Sequence, residues 1–161
     1  MGPAAIDRRD RDPAMVNAMT IDVEDYFQVS AFAGCISRDD WDRLPCRVEA
    51  NVERILALLA EHGARATFFT LGWVAERYPE LVRAIVRAGH ELASHGYEHT
   101  RATDQAYGKF LADIRLAKAV LEDISGEPVK GYRAPSFSIG EDNDWAFDCI
   151  VDARGAAVGE P

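Results

Sequence analysis

Residues 66–99 read ATFFTLGWVAERYPELVRAIVRAGHELASHGYEH, and their pattern predicts two strands joined by a helix. Residues 66–72 are rich in β-branched and aromatic side chains, which predicts a buried strand. A helical pattern of apolar residues follows, begun by Pro79 and closed by Gly89. Residues 90–94 then predict another strand, because they come directly after that helix stop. Two strands joined by a helix are typical of parallel neighbours, which need a crossover connection.

The same alternation of strand and helix continues on both sides of this unit. Towards the N-terminus, residues 15–21 predict the first strand, and residues 47–62 carry apolar residues at helical spacing. Towards the C-terminus, the sequence predicts a long helix, a fourth strand and the start of another helix, at residues 103–125, 129–133 and 142–151. Four βα units in succession predict an α/β fold with a parallel sheet.

The length and composition of the chain are those of one ordinary globular domain, with 161 residues and 48% hydrophobic side chains. The formal net charge of −9 argues against non-specific binding of nucleic acid or of an anionic membrane surface. The longest apolar runs fall short of the ~18 residues that a membrane-spanning helix needs. We therefore expect neither a nucleic-acid partner nor a membrane span.

The N-terminal segment and the cysteines bear on where the protein resides. Residues 1–14 carry mixed charge, two prolines and no apolar run, so they predict a disordered leader and not a secretory signal. We expect Met15 to lie nearer the natural start of translation. The three cysteines, Cys35, Cys46 and Cys149, form no CxxC pair, which indicates reduced thiols. These observations together predict a cytoplasmic protein.

Polar and charged side chains follow the predicted strands at their carboxyl ends. Asp22, Glu24 and Asp25 follow the first strand, the segment SHGYEH follows the third, and Arg133 ends the fourth. The carboxyl ends of parallel strands meet at one edge of a sheet or one end of a barrel, where active sites are built. We therefore expect these side chains to contribute to one site.

His95 and His99 of the segment SHGYEH are candidate metal ligands. Because they are four positions apart, both imidazoles would project from one face of a helical turn and could reach one metal ion. A carboxylate from the end of the first strand would complete a ligand set with open coordination positions, as a catalytic divalent metal requires. The spacing alone also fits two surface or hydrogen-bonded histidines.

The acidic cluster offers both a metal ligand and a general base. In an extended segment Asp22 and Glu24 point to the same side, and crowded carboxylates repel each other unless a cation lies nearby. A metal ion would take one carboxylate as a ligand and leave the other as a base. Arg133 can hold a carboxylate bidentately and fix its orientation. The alternative is that the acids are solvated loop or helix-cap charges and that Arg133 forms a surface ion pair.

Three segments of the chain resemble the motifs of one known family. TIDVEDYF, SHGYEH and YRAPSF are similar, in this order, to motifs of the polysaccharide deacetylases of the NodB-homology group, carbohydrate esterase family four. The resemblance covers residues 15–148 and is greatest to the deacetylases that accompany bacterial exopolysaccharide and exosortase gene clusters. It implies that Asp22 is the catalytic base and that Arg133 orients this base.

The resemblance also implies the metal ligands Glu24, His95 and His99. Asp25 remains a rival carboxylate ligand, because the commoner form of the first motif has two adjacent aspartates. The implied cofactor is a divalent metal, for which we expect zinc. The implied reaction removes N-acetyl groups from an amino-sugar polysaccharide or oligosaccharide. Two alternatives stay open: an imide or ureide hydrolase on the same scaffold, and a non-catalytic fragment that binds metal.

The fold that the resemblance implies is a distorted (β/α) barrel, of which this chain would supply about the first four βα units. Such barrels run to ~200 residues or more. The late histidine that protonates the leaving amine in the family has no counterpart beyond His99. We therefore expect a C-terminally truncated deacetylase domain at residues 15–151, followed by an atypical tail at residues 152–161. The oligomeric state is left open by the sequence.

Overall fold

Three parallel strands form the centre of the fold in the computed structural model, which describes residues 17–155. In spatial order the strands are β1 (Thr20–Val23), β2 (Thr67–Thr70) and β3 (Glu91–Ser94). Asp22 pairs with Phe69, which in turn pairs with Ala93, so the three carboxyl ends lie at one edge of the sheet. The predicted α/β class with a parallel sheet is confirmed.

Helices form the connections between the strands and follow the last of them. Within the described residues they are α1 (Val48–Glu61), α2 (Gly72–Arg77), α3 (Pro79–Arg87), α4 (Tyr107–Ser125) and α5 (Trp145–Gly155). Their limits follow local sequence signals. Pro79 occupies the first turn of α3, and Gly126 ends α4 in the left-handed region at φ 70°.

The main core lies between the sheet and the first two helices. Val23 of β1 and Phe68 of β2 are fully buried and pack with apolar side chains of α1 and α2. Trp73 of α2 is buried, and its ring meets those of Phe27 and Trp41 edge to face. Full burial of a side chain such as Val23 or Phe68 stabilises the fold by about 1.5–3 kcal/mol. The aromatic contacts hold the segment between β1 and α1 against α2.

The fourth predicted strand, at residues 129–133, does not form a regular strand in the structure. Its pairing with the sheet is a single parallel bridge between Ser94 and Tyr132. Gly131 has no side chain to pack in a strand, and the prolines that flank the segment cannot donate hydrogen bonds to a ladder. The bridge nevertheless brings Arg133 to the edge where the strands end.

The first residues predicted for the first strand and for the long helix differ from those in the structure. β1 begins at Thr20 and not at residue 15, because Thr20 is the first residue paired with β2. α4 begins at Tyr107 and not at residue 103. The reason is that Gln105 has an extended backbone, at φ −125° and ψ 146°, which separates a short 3₁₀ turn from the helix.

The sequence predicts a disordered leader at one end of the chain and an atypical tail at the other. The leader predicted at residues 1–14 lies outside the described residues. α5 continues to Gly155, so the first part of the tail predicted at residues 152–161 is helical, and the remainder lies outside the described residues. No helix between residues 17 and 155 is long and apolar enough to cross a membrane.

Candidate metal centre

The end of β1 directs two carboxylates to the same place. Val23 is fully buried, whereas Asp22 and Glu24 on either side of it point the other way, as alternation along a strand requires. Oδ2 of Asp22 and Oε2 of Glu24 lie 3.9 Å and 3.7 Å from Nε2 of His95. Both acids therefore face one imidazole, and each is partly screened from solvent.

His95 follows β3 directly, and its side chain is 2% exposed. Its Nδ1 lies 2.8 Å from the carbonyl oxygen of Arg133 and donates to it, because a carbonyl can only accept. In the neutral ring the lone pair is then on Nε2, which faces the carboxylates. Burial lowers the pKa of His95, although the Arg133 carbonyl and the two acids oppose this. Neutral imidazole, the form that ligates metal, is thus favoured.

His99 reaches the same carboxylate from a loop. Its Nε2 lies 3.0 Å from Oε2 of Glu24, and its ring centroid lies 5.1 Å from that of His95. The predicted helical turn is wrong, because Gly96 and His99 adopt left-handed backbone at φ 80° and φ 57°. The carbonyl of Gly96 also accepts from an amide of α2, and so does not belong to a helical ladder. The histidines converge through loop geometry.

Three ligand atoms, one each from Glu24, His95 and His99, lie within 4.8 Å of one another. Oε2 of Glu24 is buried and, although Nε2 of His99 lies 3.0 Å away, it makes no hydrogen bond of acceptable geometry among the described residues. Next to it is Nε2 of His95, which also carries a lone pair. Acceptor atoms that face each other without a donor are costly unless a cation lies between them. Two histidines and one carboxylate are a ligand set of catalytic zinc sites, so the residues fit a divalent metal.

Asp25, the rival carboxylate in the sequence, is buried and occupied elsewhere. Its two oxygens accept hydrogen bonds from the backbone amides of Tyr26, Arg47 and Val48. The last two amides belong to the start of α1, so Asp25 satisfies donors that a helix leaves without intrahelical partners. It is not among the three residues that converge as metal ligands. The geometry therefore favours Glu24 as the ligand.

Substitution of Asp25 by alanine is expected to lower the free energy of unfolding by about 2 kcal/mol, since this side chain caps α1. Metal affinity should change little. Urea unfolding and metal titration of the same preparation check both parts. Glu49→Ala, in the exposed first turn of α1, is the matched control and should lower the free energy of unfolding by less. Loss of metal binding at unchanged stability in the Asp25 variant would show that Asp25 is a ligand.

Arg133 is held at the site by its contacts with three residues of β1 and β2. Its Nη1 lies 2.5 Å from Oδ1 of Asp22, and its Nη2 donates to Oγ1 of Thr20 at 2.9 Å. Its guanidinium carbon lies 4.0 Å from the ring centroid of Phe69. Arg133 thus binds Asp22 through one nitrogen and not bidentately as predicted. The roles of Thr20 and Phe69 were missed, although both lie on the strands that pair at Asp22.

A cavity of about 760 Å³ adjoins the metal ligands and shares His99 with them. One wall is the segment between β1 and α1, and the other is the loop that follows His99. The lining is mixed, and its polar members include Gln28, Ser30, Arg38, Glu98, Arg101 and Asp104. The sequence shows this segment only as a variable stretch with aromatic residues and turn signals. Proximity to the ligands makes the cavity a candidate substrate cleft.

The sequence of the chain matches the model of a known protein family over most of its length. The model of the polysaccharide deacetylase family matches residues 39–146. This chain belongs to the polysaccharide deacetylase family. The predicted resemblance to the NodB-homology deacetylases of carbohydrate esterase family four is thereby confirmed. The matched range contains His95, His99 and Arg133, whereas Asp22 and Glu24 precede it.

Individual relatives agree with this assignment to the polysaccharide deacetylases. A peptidoglycan deacetylase of Helicobacter pylori is 32% identical over 108 residues, which are 66% of this chain and 36% of the relative. A chitooligosaccharide deacetylase of Azorhizobium caulinodans is 35% identical over 82 residues, which are 50% of this chain and 39% of the relative. The chain therefore spans well under half the length of these two relatives.

The fold of this polysaccharide deacetylase family member is also found among solved structures. A candidate polysaccharide deacetylase of Mycobacterium smegmatis matches with a TM-score of 0.69 at 27% identity, covering 85% of this chain and 48% of the other. The predicted fold class, a partial barrel of the polysaccharide deacetylase type, is confirmed by this match.

Proposed function

We propose that this chain carries the metal-binding half of a hydrolase that removes N-acetyl groups from an amino-sugar polymer or oligomer. The observation that carries the proposal is the convergence of three buried ligand atoms beside a carboxylate held by arginine. In this proposal Glu24, His95 and His99 hold a divalent metal, for which we expect zinc. The names of the relatives, which are peptidoglycan and chitooligosaccharide deacetylases, support an N-acetylated glycan as the substrate.

The reaction cleaves the amide C–N bond of an acetamide and releases acetate and a sugar amine. A bound divalent metal would polarise the amide carbonyl and lower the pKa of water. Asp22 is the base in this proposal, because Arg133 holds its Oδ1 while Oδ2 points towards the histidines. Oδ2 takes a proton from the attacking water. The departing amine needs one proton, and we assign that proton to the carboxyl group of Asp22, which thereby returns to its charged form.

The cavity beside His99 is the proposed place for the sugar. Hydroxyl groups of a sugar ring are matched by the polar side chains on both walls, and ring faces can pack against the apolar ones. Peptidoglycan, chitin oligomers and N-acetylated exopolysaccharides share the N-acetylated amino sugar. An oligomer of N-acetylglucosamine is therefore the probe that covers all three sources, and the exopolysaccharide source predicted from the sequence stays a prediction.

The test compares acetate release from an N-acetylglucosamine oligomer before chelation, after chelation, and after addition of one equivalent of zinc. We expect chelation to abolish acetate release and zinc to restore it. In this proposal the side chains of the chain hold the metal but cannot themselves polarise the amide carbonyl and lower the pKa of water as the metal would. Release that persists without metal would overturn the proposal. Stoichiometric metal binding without acetate release would indicate the non-catalytic metal-binding alternative. Ring opening of a cyclic imide without acetate release would indicate the other carbon–nitrogen hydrolase.

A further inference from the structure

The two histidines of the proposed site are joined by three residues, Gly96, Tyr97 and Glu98, here named the histidine loop. The loop lies against α4, where the carboxylate of Asp113 is only partly accessible to solvent. Oδ2 of Asp113 accepts a hydrogen bond from the amide of Tyr97 at 3.1 Å. Burial raises the pKa of Asp113, whereas the backbone amides of Tyr97 and Glu98 lower it. Two successive amides of the loop thus face one carboxylate.

The approach of Asp113 to the histidine loop is close. A Cβ added to Gly96 would lie 2.9 Å from Oδ2 of Asp113, which is nearer than such contacts occur. Gly96 also has φ 80°, where side chains other than hydrogen are strained. The position therefore requires glycine for two independent reasons. One reason is the left-handed backbone, and the other is the close approach of the Asp113 carboxylate from α4.

The opposite side of the histidine loop is bound by α2. The amides of Gly72 and Trp73, at the start of α2, donate to the carbonyls of Gly96 and Tyr97 at 2.9 Å and 3.1 Å. The loop therefore has its carbonyls held by one helix and its amides held by Asp113 of another. These hydrogen bonds satisfy and restrict the backbone of the loop, and the directions of the side chains at its two ends depend on that backbone.

We infer that Asp113 is a positioning residue of the metal centre, which holds the histidine loop in the conformation that lets His95 and His99 meet at Glu24. This inference rests on the proposed function, because it assumes that the histidines bind metal. Asp113 does not touch the ligand atoms and acts through the amides of Tyr97 and Glu98. Loss of a partner that orients metal ligands lowers metal affinity by roughly 10–100-fold.

Cobalt binding to the full chain tests the inference, with Co²⁺ as the probe because its visible spectrum reports ligand geometry. Asp113→Ala is expected to weaken cobalt binding by roughly 10–100-fold and to alter the spectrum. Asp113→Asn should restore most of the affinity, because its amide oxygen can still accept from Tyr97. Leu121→Ala is the matched control: it is a fully buried residue of the same helix, so it lowers the melting temperature without touching the loop.

Hydrogen exchange of the metal-free protein gives a second readout. The amides of Tyr97 and Glu98 should exchange faster in Asp113→Ala than in Leu121→Ala, because only the first substitution removes their acceptor. Wild-type cobalt affinity and spectrum in Asp113→Ala would overturn the inference. An equal loss of affinity in Leu121→Ala would also overturn it, since general destabilisation would then be the cause. Absence of cobalt binding in the wild-type chain would instead overturn the proposed function, and the inference with it.

Discussion

Replacement of Asp22 by asparagine is expected to lower kcat for acetate release by about 10²–10⁴-fold, the range that a positioned general base contributes. Asparagine has nearly the same shape as aspartate, and its amide oxygen can still accept from the guanidinium of Arg133. It cannot accept a proton from water at neutral pH. The metal ligands are untouched, so the variant should still bind one equivalent of metal. Single-turnover acetate release and metal titration check the two parts.

The control for this variant is Asp123→Asn, which makes the same chemical change on the exposed face of α4. It should leave kcat unchanged. Normal turnover in the Asp22 variant would remove Asp22 from the proposed mechanism. Loss of metal together with turnover would instead mean that Asp22 is a ligand and that the division of roles between Asp22 and Glu24 is wrong.

Replacement of His99 by alanine is expected to weaken metal binding by more than about 100-fold. Only two of the three converging ligands would remain, and removal of a ligand should exceed the roughly 10–100-fold cost of losing an outer partner. His99 is 7% exposed, and its Nε2 is directed at Glu24, so no neighbouring histidine can replace it without moving the loop. Competition with a chromophoric chelator measures the change in affinity.

His62→Ala is the matched control for His99→Ala. His62 is exposed at the end of α1, and its loss should leave metal affinity unchanged. Equal affinity of the His99 variant and the wild type would show that the metal binds elsewhere. Equal losses in both variants would show that the affinity measured is that of scattered surface histidines.

Elements with strong local signals could be predicted from the sequence. α1 was predicted over residues 47–62 and runs over Val48–Glu61, because its apolar residues recur at helical spacing and Gly63 stops it. Residues 129–133 have a similar local preference for extended backbone, yet they form only one bridge. A strand needs a neighbour along its length, and local sequence does not report whether that neighbour is present.

The members of the candidate site were predicted from their places at strand ends. The structure brings them together because parallel strands end at one edge of a sheet. The geometry of the histidine pair could not be predicted from its spacing. A separation of four indicates a helical turn, but the amides of α2 and the left-handed Gly96 set a different path. The convergence predicted for the pair was nevertheless found.

Side chains that bind backbone amides were the ones that sequence reasoning missed or left undecided. Asp25 caps α1 and Asp113 holds the histidine loop, and neither role requires a partner of particular type. Every residue except proline has a backbone amide to donate, so no complementary side chain marks the contact in the sequence. Thr20 was missed for a related reason, because its hydroxyl accepts from Arg133 across a distance in the chain that spacing does not reveal.

The link between Asp22 and Arg133 has a consequence for the order in which the molecule assembles. The two residues are 111 positions apart. Contacts of such separation form late in folding, because the chain between them must first be ordered. The three proposed metal ligands, Glu24, His95 and His99, all lie within residues 24–99, which is a shorter stretch of the chain. We therefore expect competence to bind metal to arise before competence to hydrolyse, and refolding followed by both measurements should separate the two in time.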